Sequence, residues 1–174
     1  MKRRQKSTDV FDIAGTSRFT FSAKNVLAIL GMESWRLQKF LTSPQYGLSA
    51  SAHLGEGVGS RRLFSIEDIF RLGIADQLVK DGFGHKHVAA AVRLLEDEDL
   101  IPIGTTGEEL SPVPHIFIGS EESLHVHAVR YQDSIASVRS KTKAPSFYFL
   151  DLVAVIKPIG DRIRQMSTTV KGED

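Results

Sequence analysis

Six histidines and no cysteine set the limits of the chemistry this chain can perform. Without a thiol there is no disulfide framework, no thiol redox switch, no Cys-ligated zinc and no cysteine nucleophile. His125 and His127, in the run HVH, fall on one face of a strand, a spacing that can chelate a metal, and His115 can lie across a hairpin from them. No third ligand is fixed by the sequence, however, and cross-strand histidines are usually partly exposed polar residues. His85 and His87 sit two apart in a helical stretch, which turns their rings away from each other. A glycine-rich phosphate loop, a nucleophile elbow and a paired-carboxylate motif are all missing from the sequence. The expectation is a protein that is not an enzyme, with no metal site and no cofactor.

The residues that invite a binding role are cations. Arg61 and Arg62, in SRRLFSIEDI, stand at the mouth of a capped helix, where the helix macrodipole is itself positive and repels them. A negative partner outside the protein resolves that conflict, whereas two solvated surface arginines leave it standing. The net charge of +1 also hides an imbalance. Residues 1–95 carry 14 Lys/Arg against 8 Asp/Glu, a surplus of +6, and residues 96–174 carry 8 against 13, a deficit of −5. Such a split points to a basic partner-binding half and an acidic half with another task.

The elements that must position these residues follow from period and punctuation. A chain of 174 residues can bury a real core in one medium domain or two small ones. Residues 1–17, with Lys2, Arg3, Arg4 and Lys6, have no sustained period and read as a mobile basic arm able to add sequence-independent phosphate contacts. Ser22 caps a two-turn helix that Gly31 stops. WRLQKFL then places Leu37, Phe40 and Leu41 on one buried stripe, leaving Trp35, Arg36, Gln38 and Lys39 largely off it. Thr42 to Gly59, rich in Gly, Ser and Ala, reads as a long flexible loop, and RRLF as a short strand. Ser65 and Asp68 form a shortened capping box for a helix that Gly82 closes. A further helix from about His85 carries Val88, Ala91, Val92 and Leu95 at ideal spacing.

Pro and Gly in residues 97–114 mark a linker. Beyond it HIFIG, LHVHAVR and SFYFLDL read as strands, the first two as a hairpin. Asp151 can cap a final helix that Pro158 kinks or splits, and residues 167–174 read as a disordered tail. No apolar run of about 18 residues exists, and MKRRQKSTDV lacks the apolar stretch of a secretory signal. No membrane association is expected, and a cytoplasmic location is.

Two short helices around a glycine turn, a loop, a two-arginine strand, a capped helix and a fourth helix, in that order, resemble the MerR family of winged-helix DNA-binding proteins. The resemblance is carried by Gly31, by Leu37 and Phe40, by Arg62-Leu63-Phe64-Ser65 with Glu67-Asp68, and by Gly82-Phe83, over residues 19–95. It implies a MerR-like winged helix-turn-helix at 18–96, and with the hairpin, strand and helix read at 115–166 as a small module the chain is expected to be α+β. It also implies a sequence-specific transcriptional regulator that binds double-stranded DNA. Arg61 and Arg62 would lie on a wing, one of them on a phosphate, with the family match favouring Arg62. Trp35, Arg36, Gln38 and Lys39 would enter the major groove, although Trp35, as a lone indole, fits a core position equally well.

Three departures accompany the match, one of them the Thr42–Gly59 loop, which is longer than the family's wing and suggests a mobile or enlarged one. Leu37-Gln38-Lys39-Phe40 stands where the family usually has Leu-Arg-Tyr-Tyr, so the family's base preference does not carry over. EDEDLIPIG leaves no room for the long coiled-coil helix through which the family dimerises. The C-terminal module is therefore expected to make the homodimer through the apolar face of DLVAVIKPIGDRI, which is hard to bury in so small a half, or to receive a small-molecule or protein effector. The competing reading is a protein-interaction adaptor on the same scaffold. A His-based metal sensor or enzyme is a remote third.

Overall fold

The computed structural model of the chain describes residues 11–12, 19–54, 61–95, 100, 114–119, 126–130, 136, 140 and 147–171. Among them the protein is an α+β structure of five helices and two antiparallel sheets. The first sheet is built from β1 (Phe11–Asp12), β2 (Phe19–Ser22), β3 (Ala52–Leu54) and β4 (Arg61–Phe64), in the order β1-β2-β4-β3. β1 falls within the segment expected to be a mobile arm, and its pairing with β2 gives that part of it a fixed place. Lys2, Arg3, Arg4 and Lys6 lie outside the described residues.

Helix α1 (Ala23–Leu30) begins where expected. The Ser22 hydroxyl accepts from the Asn25 amide at 3.3 Å, satisfying one of the free donors of the first turn. It ends at Gly31, which takes the left-handed conformation (φ +61°) that a side chain would oppose, while the Met32 amide reaches back to the Leu27 carbonyl at 3.2 Å. Three residues later α2 (Ser34–Thr42) starts, with Leu37 and Phe40 buried as their spacing requires.

The loop expected from Thr42 to Gly59 is in good part ordered. Pro44–Tyr46 forms one 3₁₀ turn, and the buried Tyr46 meets Phe40 edge-on, with ring centroids 5.0 Å apart. β3 then pairs with β4, Ala52 opposite Leu63 and His53 opposite Arg62. The Gly/Ser composition concealed these elements, because one aromatic anchor and three strand residues leave no period to detect.

The centre of the molecule is α3 (Ile66–Lys80). Its N-terminus carries a complete capping box: the Ser65 hydroxyl accepts from the Asp68 amide at 3.2 Å, and the Asp68 carboxylate accepts from the Ser65 amide at 3.0 Å. The same carboxylate accepts from the Ser51 amide at 2.9 Å, which ties the approach to β3 onto the helix. Ile69, Phe70, Leu72, Ile74, Ala75 and Leu78 are buried on almost every side, the pattern of a helix enclosed by others. Gly82 (φ +91°) turns the chain into α4 (His85–Arg93), whose buried Val88, Ala91 and Val92 face α3.

The second sheet, β6-β5-β7, joins β5 (Pro114–Gly119) to β6 (Val126–Arg130) and to β7 (Phe147–Asp151). The expected pairing of the first two strands is present, with Phe117 opposite His127. Asp151 caps α5 (Leu152–Lys171), its carboxylate accepting from the amides of Val153 (2.9 Å) and Ala154 (3.2 Å). Pro158 neither splits this helix nor ends it, and the helix continues to Lys171, past residue 166 where order was expected to stop.

The apolar face of α5 needs no twofold partner to cover it. Leu152, Ile156, Ile159 and Ile163 are buried against α3 and α1 of the same chain, in one hydrophobic cluster with Phe21, Phe64 and Phe70. At the crossing a Cβ on Gly73 would stand 2.3 Å from Ile159 Cδ1, so any side chain there would displace the tip of Ile159. Among the described residues no helix is long and apolar enough to cross a membrane.

Candidate nucleic-acid interface

The residues singled out for binding sit on two neighbouring elements, α2 and β4. On α2 the core stripe fixes the opposite face outward, and Gln38 and Lys39 are exposed there. Neither the Gln38 amide nor the Lys39 ammonium has a hydrogen-bond or ion-pair partner among the described residues. Trp35 is 56% exposed, so it is not the core residue that a lone indole suggests. Its ring nitrogen donates to Glu33, and its face lies 5.3 Å from the Arg36 guanidinium carbon, a cation–π contact.

Arg36 is placed differently from its neighbours. Its Nη1 donates to Asp76 Oδ1 on α3 at 2.8 Å, and its side chain is only 28% exposed. Asp76 in turn receives Lys80 Nζ at 2.7 Å, one helical turn on, and its own side chain is 6% exposed. A buried carboxylate requires such partners, because desolvation penalises an unpaired charge by several kcal/mol. Arg36 therefore holds α2 against α3 with the same guanidinium that was expected to reach a base or a phosphate. The sequence reading missed Asp76 and Lys80. The available signal was that Asp76 is the sole charge between Arg71 and Lys80, in a stretch that apart from Gln77 is otherwise apolar.

On β4, Arg61 is exposed and Arg62 half-buried, while Leu63 and Phe64 enter the core. The two arginines are thus unequal, as strand geometry demands. Arg61 is the freer of the two. The capped N-terminus of α3 follows them directly, so the repulsion noted in the sequence is eased from within by Glu67 and Asp68 in the first helical turn.

Among the described residues no group of three His, Asp or Glu side chains is placed to hold a metal ion. His125 lies outside the described residues, and His115 is in register with Val129 and Asp151. His85 and His87 pack instead against aromatic rings, the first on Tyr46 and the second on Phe83.

Away from these elements, Tyr148 on β7 donates its hydroxyl to Asp81 at the end of α3. Burial, then the hydrogen bond and the charge of Asp81, push its pKa up from 10.0 to about 12. Comparison with protein-family models and with curated proteins finds no match to this chain.

Proposed function

We propose that this protein is a MerR-like winged-helix regulator that binds double-stranded DNA, with α2 as its recognition helix and the β3–β4 hairpin as its wing. The observation that carries this reading is the pairing of α1 and α2 about a left-handed Gly31, which leaves Trp35, Gln38 and Lys39 on an exposed face. A helix presented in this way can enter a major groove, where Gln pairs with adenine and Lys with guanine or phosphate. Arg61 and Arg62 supply backbone contacts from the wing, which fix register without reading sequence. Arg36 acts as a positioning residue that sets the angle of α2 on α3. A homodimer reading a twofold-repeated site belongs to the proposal, through a surface other than the buried face of α5.

Selection of bound duplexes from a random pool tests the reading. A defined motif is the expected outcome, together with an affinity that falls by about 0.9 in log K per log salt for each phosphate contact. A flat salt response with no motif would transfer the basic face to a protein partner, as in the adaptor reading.

A further inference from the structure

We infer that Trp35 reads the C5-methyl group of a thymine in the major groove and that Glu33 positions its ring for that contact, an inference that rests on the duplex-binding reading of α2. The indole is held from two sides and still stands open. Trp35 is the second residue of α2, and its Nε1 donates to the carboxylate of Glu33 at the N-cap. The Arg36 guanidinium carbon lies 5.3 Å from the ring centroid, and Arg36 is itself anchored by Asp76 on α3 at 2.8 Å. With both contacts made, Trp35 remains 56% exposed. A large side chain that already keeps one orientation loses less freedom when a partner arrives.

What this ring can recognise follows from what it has left to offer. Its one polar group, the N–H, can only donate, and Glu33 takes it. The negative charge of Glu33 also opposes a phosphate at the same place. The exposed remainder of the indole is hydrocarbon. In a duplex the faces of the bases are stacked on one another, and only their edges are presented. In the major groove those edges carry hydrogen-bond donors and acceptors at every pair, with one apolar group among them, the methyl of thymine. Ring carbons set against a polar edge would strip its water without replacing the hydrogen bond, whereas against the methyl they bury apolar surface.

Gln38 sets the neighbourhood of the contact. It is exposed three residues further along α2, where side chains at i and i+3 stand about 5–6 Å apart. The rise of one base pair is about 3.4 Å. With Gln38 on an adenine, Trp35 therefore meets the same A·T pair or one beside it. The two residues together select a thymine close to that adenine, and Lys39 adds charge without choosing a methyl.

The probe is the duplex recovered by selection from an unmethylated random pool, in which thymine alone carries a C5-methyl. Each thymine is replaced in turn by uracil, which lacks only that methyl, and affinity for the full chain is measured at low salt. One position should lose about fourfold, the worth of one buried methyl-sized group. In Trp35→Ala the thymine and uracil duplexes should bind alike at that position, while Lys39→Ala should weaken both and keep their ratio. Glu33→Ala should bring the ratio toward one, and Glu33→Gln, whose amide oxygen still accepts from Nε1, should preserve it. Trp35 is the sole tryptophan of the chain, so its emission should shift when the selected duplex binds. No position with a uracil penalty, a penalty that survives Trp35→Ala, or unchanged emission would overturn the inference and leave the DNA reading standing. A ratio unaltered in Glu33→Ala would overturn the positioning role. Failure of the DNA reading itself looks different: selection then recovers no motif before any base is altered, and this inference falls with it.

Discussion

Helices α2 and α5 are both amphipathic and both give one face to the same core, yet they treat the other face in opposite ways. On α5 Arg164 pairs with Asp161 at 2.5 Å and Arg162 donates to the Ile29 carbonyl, so both guanidinium groups are tied within the chain. On α2 only Arg36 is spent, while Gln38 and Lys39 stay without partners among the described residues and an aromatic ring stands in solvent. Burying α5 stabilises the fold, and the exposed face of α2 adds little to it. The proposed duplex contact asks for such a face, with Gln38 and Lys39 unengaged among the described residues and the Trp35 ring exposed.

The largest effect should come from breaking α5. Ile156 is fully buried, and Ile156→Ala should cost about 2–5 kcal/mol in chemical denaturation, whereas Gln38→Ala and Lys39→Ala should stay within about 0.5 kcal/mol. Equal losses on the two helices would erase the contrast. Arg36→Ala should fall between them, at about 1 kcal/mol, because Asp76 keeps Lys80 but loses its second partner. Its effect on duplex affinity should be uniform across sequences, as befits a residue that orients α2 without touching bases.

Lys39→Ala and Arg61→Ala should leave melting unchanged and lower the salt slope of duplex binding by about one contact's worth each. Gln38→Ala should instead relax preference at one base position. If Arg62→Ala reduces the slope and Arg61→Ala does not, the half-buried arginine is the phosphate anchor and the exposed one is solvated surface.

The smallest effect is one of pH. Tyr148 has a folded pKa raised from 10.0 to about 12, so the fold holds its proton more tightly than the unfolded chain does. The resulting stabilisation is complete below pH 10 and is lost as pH rises toward 12. Tyr148→Phe should therefore flatten the decline in stability across that window, read by denaturation at several alkaline pH values.

Much of the first half was legible because its signals are local. Ser22, Gly31, Ser65 with Asp68, and Gly82 each act within a few residues, and the structure uses each as its chemistry requires. What stayed hidden depends on distance. Nothing near Arg36 announces a carboxylate forty residues away, and nothing near Gly73 announces Ile159. The expectation that α5 lacks cover arose in the same manner, since its stripe was weighed against residues 115–166 alone while its cover is α3 and α1. For the binding face, period showed which residues of α2 point outward, but not that one of them is held back to α3.

The bond from Arg162 to the Ile29 carbonyl spans 133 residues, and Ile159 closes over Gly73 beside it. During synthesis α1 and α3 leave the ribosome with this flank open, since the helix that seals it is made much later. Contacts of such separation also slow folding, because a long loop must close before they form. The nascent chain therefore presents a basic, incompletely closed helical unit between the making of α3 and that of α5, whose arrival completes the cover of α1 and α3. Premature termination before residue 152 should yield a product cleared by proteases, not a smaller working protein.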